Sequence, residues 1–448
     1  MFRMGRPRSL AAVFAVVMAA LAYAPAAQAS GPIQTGLGTP ISVTTLKPGV
    51  TLTHYKVTVL DAGVLRTEQI YKVAWTIGNA HVGLDSPPLG NYYADDFSVR
   101  MNQIRSWATA TAPVGLTAAI NGDFFADSYA HPGAGRPSGL LVHDRTVLAF
   151  GWGGPAVGYL PGGDMLMGTP RAVPSLIRLP NSKTATVGAF NGLTSRGVTI
   201  RGDQVAAYVV AGARLTVPTG YVGFVLPSTD LRTMLRGAKG GFKYASGANL
   251  NETVAGFRFV DPSPVATSRS VSVPTSMPAE CPTGTCAAGT QLTVPAEGVI
   301  VLAKAGGIAA TGLSAKAAAG GALSMASDDA GWSAVDDVMG GKPQLVSNGV
   351  AVAARPTFVD PWQWDNPHWR PAVVKSVSGK GWLVVAGGNR GVGIQATTWA
   401  RMLVQMGARN AMGFDNNSST ELYRPGVTPI TAYGYERYIP SATVLSYH

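Results

Sequence analysis

The stretch that decides the fold is residues 381–420, GWLVVAGGNRGVGIQATTWARMLVQMGARNAMGFDNNSST. Its first apolar run, 382–385, is short, continuous and partly β-branched, which predicts a strand buried on both faces. Thr397 or Thr398 stands where a helix N-cap belongs, and Gly407 can end that helix in a left-handed turn. Between them, apolar residues recur at helical spacing: Trp399, Met402, Leu403 and Met406.

A second apolar run, 411–414, leads directly into Asp415 and the small polar loop 416–420. A carboxylate at the end of a buried strand, followed by small residues, is a good place for chemistry. The same residue could instead cap a turn through nearby backbone amides. Both interpretations of Asp415 are open on the pattern alone.

One specific alternative for this unit is a dinucleotide site. Residues 391–396 match G-x-G-x-x-A, and Asp415 falls where a ribose-binding acid would stand. The strand ends several residues before the first glycine of the motif, and only 33 residues follow Asp415, too few to complete a doubly wound sheet. An NAD-dependent oxidoreductase is therefore the third hypothesis.

The first 29 residues have the pattern of a signal peptide. Arg3, Arg6 and Arg8 precede an apolar stretch, and residues 27–29 form a small-x-small cleavage site. We expect a secreted protein whose mature chain starts near Ser30. No later stretch is apolar and uninterrupted enough to cross a membrane.

Composition indicates a β-rich α+β protein with mixed sheets and a few packed helices, because 55 glycines accompany only 13% charged residues and many short apolar runs. The net charge of +11 is scattered, without a Lys/Arg run, so no nucleic-acid partner is expected. We expect a β-rich segment over 30–117, a domain over 118–420 with an insertion at about 191–297, and closing strands over 421–448. The oligomeric state is open.

The two cysteines, Cys281 and Cys286, lie in a Pro/Ser/Thr-rich excursion. In an exported chain they predict a local disulfide bond. The six histidines form no recognisable zinc motif.

Two further segments carry polar residues between apolar ones. Residues 118–125 run from a predicted strand into Asn121, Gly122 and Asp123, which also fits an ordinary hairpin turn. Residues 362–371 combine three tryptophans with His368 and Arg370, a set that suits a sugar next to an anion.

Five motifs in order resemble the phosphodiester glycosidase family. They are A-I-N-G-D-F-F at 119–125, a P-x-G segment at 137–142, G-G-K-P-Q-L-V-S-N-G at 340–349, an arginine motif at 368–373, and the helix and aspartate loop at 397–420. The chain departs from the family at Pro371, at residues 386–389, and at Asn416 and Asn417, where the family has glycines.

The resemblance implies a hydrolase that cleaves a sugar from a glycosyl phosphodiester and needs no cofactor. Expulsion of phosphate requires cationic donors and a carboxylate at the anomeric carbon. This assigns Asp415, Asp123 and Arg370 as catalytic. The expected substrate-binding residues are Asn121, Gly122, His368, Arg390, Asn416, Ser418 and Ser419.

Two alternatives accompany this hypothesis. Asn121, Asp123 and Asp415 offer oxygen ligands that would suit a Ca²⁺ ion. The altered loop after Asp415 would also fit a secreted protein that binds a phosphate-linked glycan without cleaving it.

Overall fold

The computed structural model describes much of the chain after residue 36. The described residues are 37–89, 101–125, 137–144, 146–149, 154–168, 176–178, 184–190, 194–195, 198–208, 212–226, 268–272, 285–295, 299–319, 322–326, 335, 337–357, 359–388 and 392–448.

The largest sheet has eight antiparallel strands drawn from both ends of the chain. In spatial order they are β1 (Ser42–Lys47), β2 (Val50–Asp61), β3 (Val64–Thr76), β25 (Lys380–Gly387), β24 (Arg370–Ser376), β26 (Ala408–Gly413), β22 (Gln344–Ser347) and β23 (Val350–Ala351). The long hairpin of β2 and β3 pairs with β25, so the N-terminal strands complete a sheet whose other strands include those of residues 381–420.

The centre of this sheet is buried on both faces, as the apolar run 382–385 predicts. Leu383 and Val385 pack into one core cluster, while Val384 and Trp382 pack into another on the opposite face. Alternate residues of a strand point to opposite faces. Both faces of β25 are therefore covered, one by the other sheets and one by helices.

Four helices are described: α1 (Ile104–Thr111), α2 (Ile308–Ala319), α3 (Pro361–Asp365) and α4 (Ala396–Gln405). Helix α4 buries Trp399, Met402 and Leu403 against the large sheet. Gly407 follows its end with φ of 95°, which confirms the predicted left-handed stop.

The predicted N-cap of α4 is wrong. Thr397 and Thr398 lie inside the first turn, and the N-cap residue is Gln395, whose side chain makes no capping bond. The carboxylate of Asp61, at the end of β2, instead accepts the Gln395 N–H at 3.2 Å. A cap from a distant strand leaves no signal in the local sequence.

Two five-stranded antiparallel sheets stack on the large one. One is β28 (Ile430–Thr431), β27 (Glu421–Tyr423), β5 (Leu116–Asn121), β29 (Ala442–Tyr447) and β4 (Val82–Asp85). The other is β7 (Thr146–Ala149), β6 (Leu141–His143), β21 (Asp337–Gly340), β8 (Ala156–Leu160) and β9 (Asp164–Gly168). Apolar side chains from both join the core cluster that contains Leu383.

A seven-stranded mixed sheet forms a second body of structure. Its strands are β16 (Tyr221–Leu226), β19 (Val299–Lys304), β14 (Gln204–Tyr208), β11 (Thr184–Phe190), β10 (Leu176–Arg178), β20 (Ala322–Ala326) and β17 (Ser268–Ser272). Two short pairs accompany it, β12 (Thr194–Ser195) with β13 (Val198–Thr199), and β15 (Arg214–Thr216) with β18 (Gln291–Thr293). Strands β11 and β14 are parallel.

The predicted β-rich α+β class is confirmed. The hairpin alternative for residues 121–123 is wrong, because β5 pairs with β27 and β29 from the C-terminal end of the chain. Helix α1 has eight residues, and its buried residues are Ile104 and Ala108. In the described part of the chain, no helix has the length and apolarity needed to span a membrane.

Two expectations concern segments that are only partly described. Cys286 is buried, but Cys281 lies outside the described residues, so their bond stays a prediction. The domain boundaries also stay predictions. The strands of the first 117 residues and of the last 28 pair directly with those of the expected central domain.

Candidate active site

The site is built where the loops after β26 and β5 meet. Phe414 is buried in the core and fixes the end of β26, so the chain turns at Asp415. The Asp415 N–H donates to the carbonyl of Gly122 at 3.1 Å, and the Asn121 side-chain amide donates to the carbonyl of Asp415 at 2.6 Å. Two motifs almost 300 residues apart in the chain are thereby joined, as the resemblance implies.

Asn121 has a positioning role rather than the predicted sugar contact. It is 1% exposed, and its side-chain oxygen accepts the backbone N–H of Glu421 at 3.2 Å. The neighbouring Gly122 is equally enclosed, since a Cβ there would lie 2.6 Å from Oγ of Ser441. Neither residue is among those that line the cleft described below.

Asp123 is also enclosed by backbone. Its Oδ1 accepts the Phe124 N–H at 2.8 Å, and its Oδ2 accepts the Gly139 N–H. Gly340 closes over it, because a Cβ at that position would come within 2.8 Å of the same Oδ2. Burial raises the pKa of Asp123 to about 6, against the opposing charge of Lys342. Asp123 does not line the cleft, but its negative charge raises the pKa of Asp415.

These contacts do not fit the Ca²⁺ hypothesis. The side-chain oxygens of Asn121 and Asp123 already accept backbone N–H groups, and Asp415 reaches Asn121 through its carbonyl. A Ca²⁺ ion needs six or more oxygen ligands directed at one point. The three residues do not present such a set.

Asp415 is the carboxylate that reaches the cleft. It is 8% exposed, and burial raises its pKa to about 7, reinforced by the negative charge of Asp123. A hydrogen bond from Ser419, the charge of Arg437 and the Asn416 N–H oppose that rise. A group with this pKa is divided between its charged and neutral forms near neutral pH, as an acid–base residue requires.

Arg437 is a cation of the site that the sequence motifs missed. Its Nη1 donates to Oγ of Ser418 at 2.8 Å and to Oγ of Ser419 at 3.2 Å, and its guanidinium lies 5.3 Å from the ring centroid of Phe125. It follows the last family motif, within the tyrosine-rich segment 433–438. That aromatic run is the signal that could have found it.

The cleft consists of two adjoining cavities of about 400 and 480 Å³ that share four wall residues. The first is lined by Phe124, Phe125, Trp362, Gln363, Asp415, Asn416, Asn417, Ser418 and Arg437. The second adds Ser138, Lys342, Val359 and Asp360. The cleft thus has the Asp415 carboxylate and the Arg437 guanidinium at one end, and the Lys342 ammonium and the Asp360 carboxylate at the other, between aromatic walls.

Arg370 does not have the predicted geometry of a phosphate donor. It is 4% exposed, and its guanidinium donates to the carbonyls of Ile394 at 2.6 Å, Asn366 at 2.9 Å, Gln363 at 3.0 Å and Trp364 at 3.3 Å. Burial lowers its pKa to about 9. It holds the end of α3, which carries Trp362 and Gln363 to the cleft.

His368 likewise supports the wall of the cleft. Its Nε2 lies 3.1 Å from the carbonyl of Trp362, and the two rings are 4.3 Å apart. Burial lowers its pKa, as does the charge of Arg370. Arg390, the other cation expected from the sequence, lies outside the described residues.

The polar loop after Asp415 is at the site, as predicted. Asn416 donates from its side chain to the carbonyl of Gln363 at 3.2 Å, and Ser419 is fully buried beside Asp415. Asn417 adopts a φ of 58°, and its Oδ1 accepts the hydroxyl of Tyr433 at 2.6 Å. The side chains that replace family glycines therefore pack into the wall of the cleft.

The dinucleotide alternative is wrong. A pyrophosphate would have to sit at the N-terminus of α4, but that position holds the buried carboxylate of Asp61. Gly393 has no room either, because a Cβ there would overlap the backbone of His368. A pyrophosphate could bind at this helix end only by displacing the buried carboxylate of Asp61.

Comparison with known proteins agrees with the motif order. Residues 278–446 match the phosphodiester glycosidase family. The matched region includes Arg370, Asp415 and Arg437, while the motifs at 119–125 and 137–142 precede it. No curated protein matches the chain.

Solved structures share the fold at low sequence identity. A hypothetical protein from Synechocystis has a TM-score of 0.62 at 17% identity over 92% of this chain, which spans 64% of that protein's length. A protein from Burkholderia pseudomallei, described as exported, has a TM-score of 0.56 at 15% identity over 86% of this chain and 75% of its own. Similarity to the catalytic domain of zebrafish N-acetylglucosamine-1-phosphodiester alpha-N-acetylglucosaminidase is weaker, with a TM-score of 0.39 at 10% identity over 92% of this chain and 87% of that one.

Proposed function

We propose that the protein is a secreted hydrolase that releases a sugar from a glycosyl phosphodiester of cell-wall or extracellular glycans. The observation that carries this proposal is that Asp415 and Arg437 line the same cavity, between aromatic rings, and that the charge of Arg437 acts on the Asp415 carboxyl. The substrate has a sugar, a phosphate and a reacting carbon between them, and the cleft offers a chemical complement to each.

Asp415 acts in its charged form. It activates a water molecule at the anomeric carbon or stabilises the positive charge that develops there. Phosphate is a good leaving group, so departure of the phosphomonoester needs little protonation. Arg437 donates to the phosphate and stabilises the charge that accumulates as the bond breaks.

The ring of Trp362 forms the sugar platform. It is 51% exposed at the wall that both cavities share, and its backbone carbonyl is held by His368 and Asn366. Aromatic faces stack on the apolar face of a sugar. Lys342, at the far end of the cleft, provides a second positive charge for a polyanionic glycan.

A second candidate is a binding protein that retains the cleft without turnover. The Asn416 and Asn417 side chains occupy space that the family's glycines leave open, and Asn416 is bonded into the wall. Close approach of substrate to the backbone of this loop is correspondingly reduced. Such a protein would bind the same ligands.

The test is a panel of glycosyl phosphodiesters incubated with the purified full-length protein, with free sugar and phosphomonoester both quantified. We expect release by the wild type, loss of release with binding retained in Asp415→Asn, and normal release in the control Asp203→Asn, whose carboxylate lies on an exposed turn away from the cleft. Binding without release by the wild type would establish the second candidate. Neither binding nor release on any member would refute both.

A further inference from the structure

A cluster of three metal-binding side chains lies outside the cleft. Asp85 ends β4, His143 ends β6 and Asp337 begins β21. One ligand atom from each lies within 4.8 Å of the other two. None of the three lines the cleft, and Asp337 is three residues along β21 from Gly340, or about 10 Å at 3.3 Å per residue.

The hydrogen bonding of this cluster is incomplete. Nδ1 of His143 is 2.9 Å from Oδ1 of Asp337 and equally 2.9 Å from Oδ1 of Asp85. A ring nitrogen carries one proton at most. The aligned hydrogen bond is the one to Asp337, whereas the 2.9 Å contact from Nδ1 to Oδ1 of Asp85 is not aligned as a hydrogen bond. Two carboxylate oxygens therefore lie at hydrogen-bond distance from one ring nitrogen, whose single proton can bond to only one of them.

We propose that Asp85, His143 and Asp337 bind a divalent transition-metal ion of the Zn²⁺ class. Imidazole nitrogen with carboxylate oxygen is a ligand set that Zn²⁺ and Mn²⁺ accept. Ligands at about 2.1 Å from a tetrahedral ion are separated by about 3.4 Å. The observed spacings of 2.9 Å are shorter, so the side chains would move apart by about half an ångström when the ion enters.

The surroundings support binding and access. The Asp144 N–H donates to Oδ1 of Asp337 at 3.1 Å and holds this ligand in place, while the Ser86 hydroxyl donates to the Val142 carbonyl at 2.6 Å and lies 3.3 Å from the same Oδ1. The side chains of Asp85 and His143 are 41% and 32% exposed, which leaves a path for the ion and room for water ligands.

The position of the site indicates a structural role. Strand β4 belongs to the sheet that carries Asn121, whereas β6 and β21 belong to the sheet that encloses Asp123. A bound ion would link these two sheets, which hold Asn121 and Asp123 next to the cleft. Metal binding should therefore raise thermal stability, because the ion binds the folded state alone.

The experiment uses the full chain after chelation and desalting, with Zn²⁺ alone as the probe. We expect one Zn²⁺ per chain by elemental analysis and a rise in Tm on the order of 5 °C. His143→Ala and Asp85→Asn should lose both effects, while His54→Ala, which changes a histidine on β2, should keep them.

Asp85→Asn keeps the shape of a half-exposed side chain, so it provides a folded variant if His143→Ala proves unstable. Substoichiometric Zn²⁺ in the wild type, or full retention of Zn²⁺ by Asp85→Asn and His143→Ala, would overturn the proposal. If the triad is an ion pair alone, Zn²⁺ changes the Tm of none of these proteins. These readouts do not depend on catalytic activity.

Discussion

Arg370→Ala and Arg437→Ala are expected to change different properties of the protein. The Arg370 guanidinium is buried and donates to four backbone carbonyls at the end of α3 and before α4. Arg437 lines the cleft and donates to two serine hydroxyls. The first substitution should therefore reduce stability, and the second should reduce function.

The magnitude for Arg370 follows from its contacts. A hydrogen bond from a charged donor contributes about 1.5–3 kcal/mol, and a buried acceptor left without a donor costs about 1–3 kcal/mol. Removing the arginine also removes the unfavourable burial of its charge, which is seen in its lowered pKa. We expect a net loss of about 3–5 kcal/mol of unfolding free energy, the range found when one partner of a buried ionic network is deleted.

Arg437→Ala should change the unfolding free energy by less than about 1 kcal/mol, because Ser418 can bond to water in the open cleft and the buried hydroxyl of Ser419 keeps its hydrogen bond to Asp415. Its effect on catalysis should be a fall in kcat/KM of about 10²–10³, the usual effect of deleting one charged donor to a transition state. Arg370→Lys should recover only part of the lost stability, since lysine lacks the planar fork.

Urea unfolding followed by tryptophan fluorescence, together with sugar release from a glycosyl phosphodiester, separates the two effects. Wild-type stability in Arg370→Ala would show that the carbonyl contacts contribute nothing. If Arg437→Ala unfolds while Arg370→Ala is stable but inactive, then Arg370 and not Arg437 binds the phosphate, and our assignment is refuted.

Three further predictions concern pH and the sugar platform. Because Asp415 acts ionised and its pKa is raised to about 7, kcat/KM should rise with pH through about 7, and Arg437→Ala should move the inflection to higher pH; a flat profile from pH 5 to 9 would contradict this. Burial also raises the pKa of Glu68 and of Glu421 to about 8. From pH 5 to 8 the folded state thus holds protons that the unfolded chain has lost, and the urea midpoint should fall as pH rises; a rising midpoint would be inconsistent. Trp362→Ala should raise KM roughly tenfold with kcat almost unchanged, because stacking holds the sugar equally before and during the reaction, and an unchanged KM would remove Trp362 from the platform.

The sequence alone was sufficient for features that depend on local pattern. The strand over 382–385, the stop of α4 at Gly407 and the arrival of Asp415 at the end of β26 all follow from periodicity and turn chemistry over a few residues. The order of motifs indicated the resemblance to phosphodiester glycosidases and, through that resemblance, the meeting of residues 121–123 with Asp415.

Only the tertiary structure decided which of several similar groups faces the cleft. Arg370 and Arg437 are the same residue type near equally aromatic segments, yet one is enclosed by carbonyls and the other lines the cavity. The helix cap from Asp61 joins positions 334 residues apart, and the convergence of Asp85, His143 and Asp337 joins three strands that are also distant in the chain. Side-chain direction at such positions is set by strand pairing and register between distant segments, and those long-range pairings leave no local pattern in the chain.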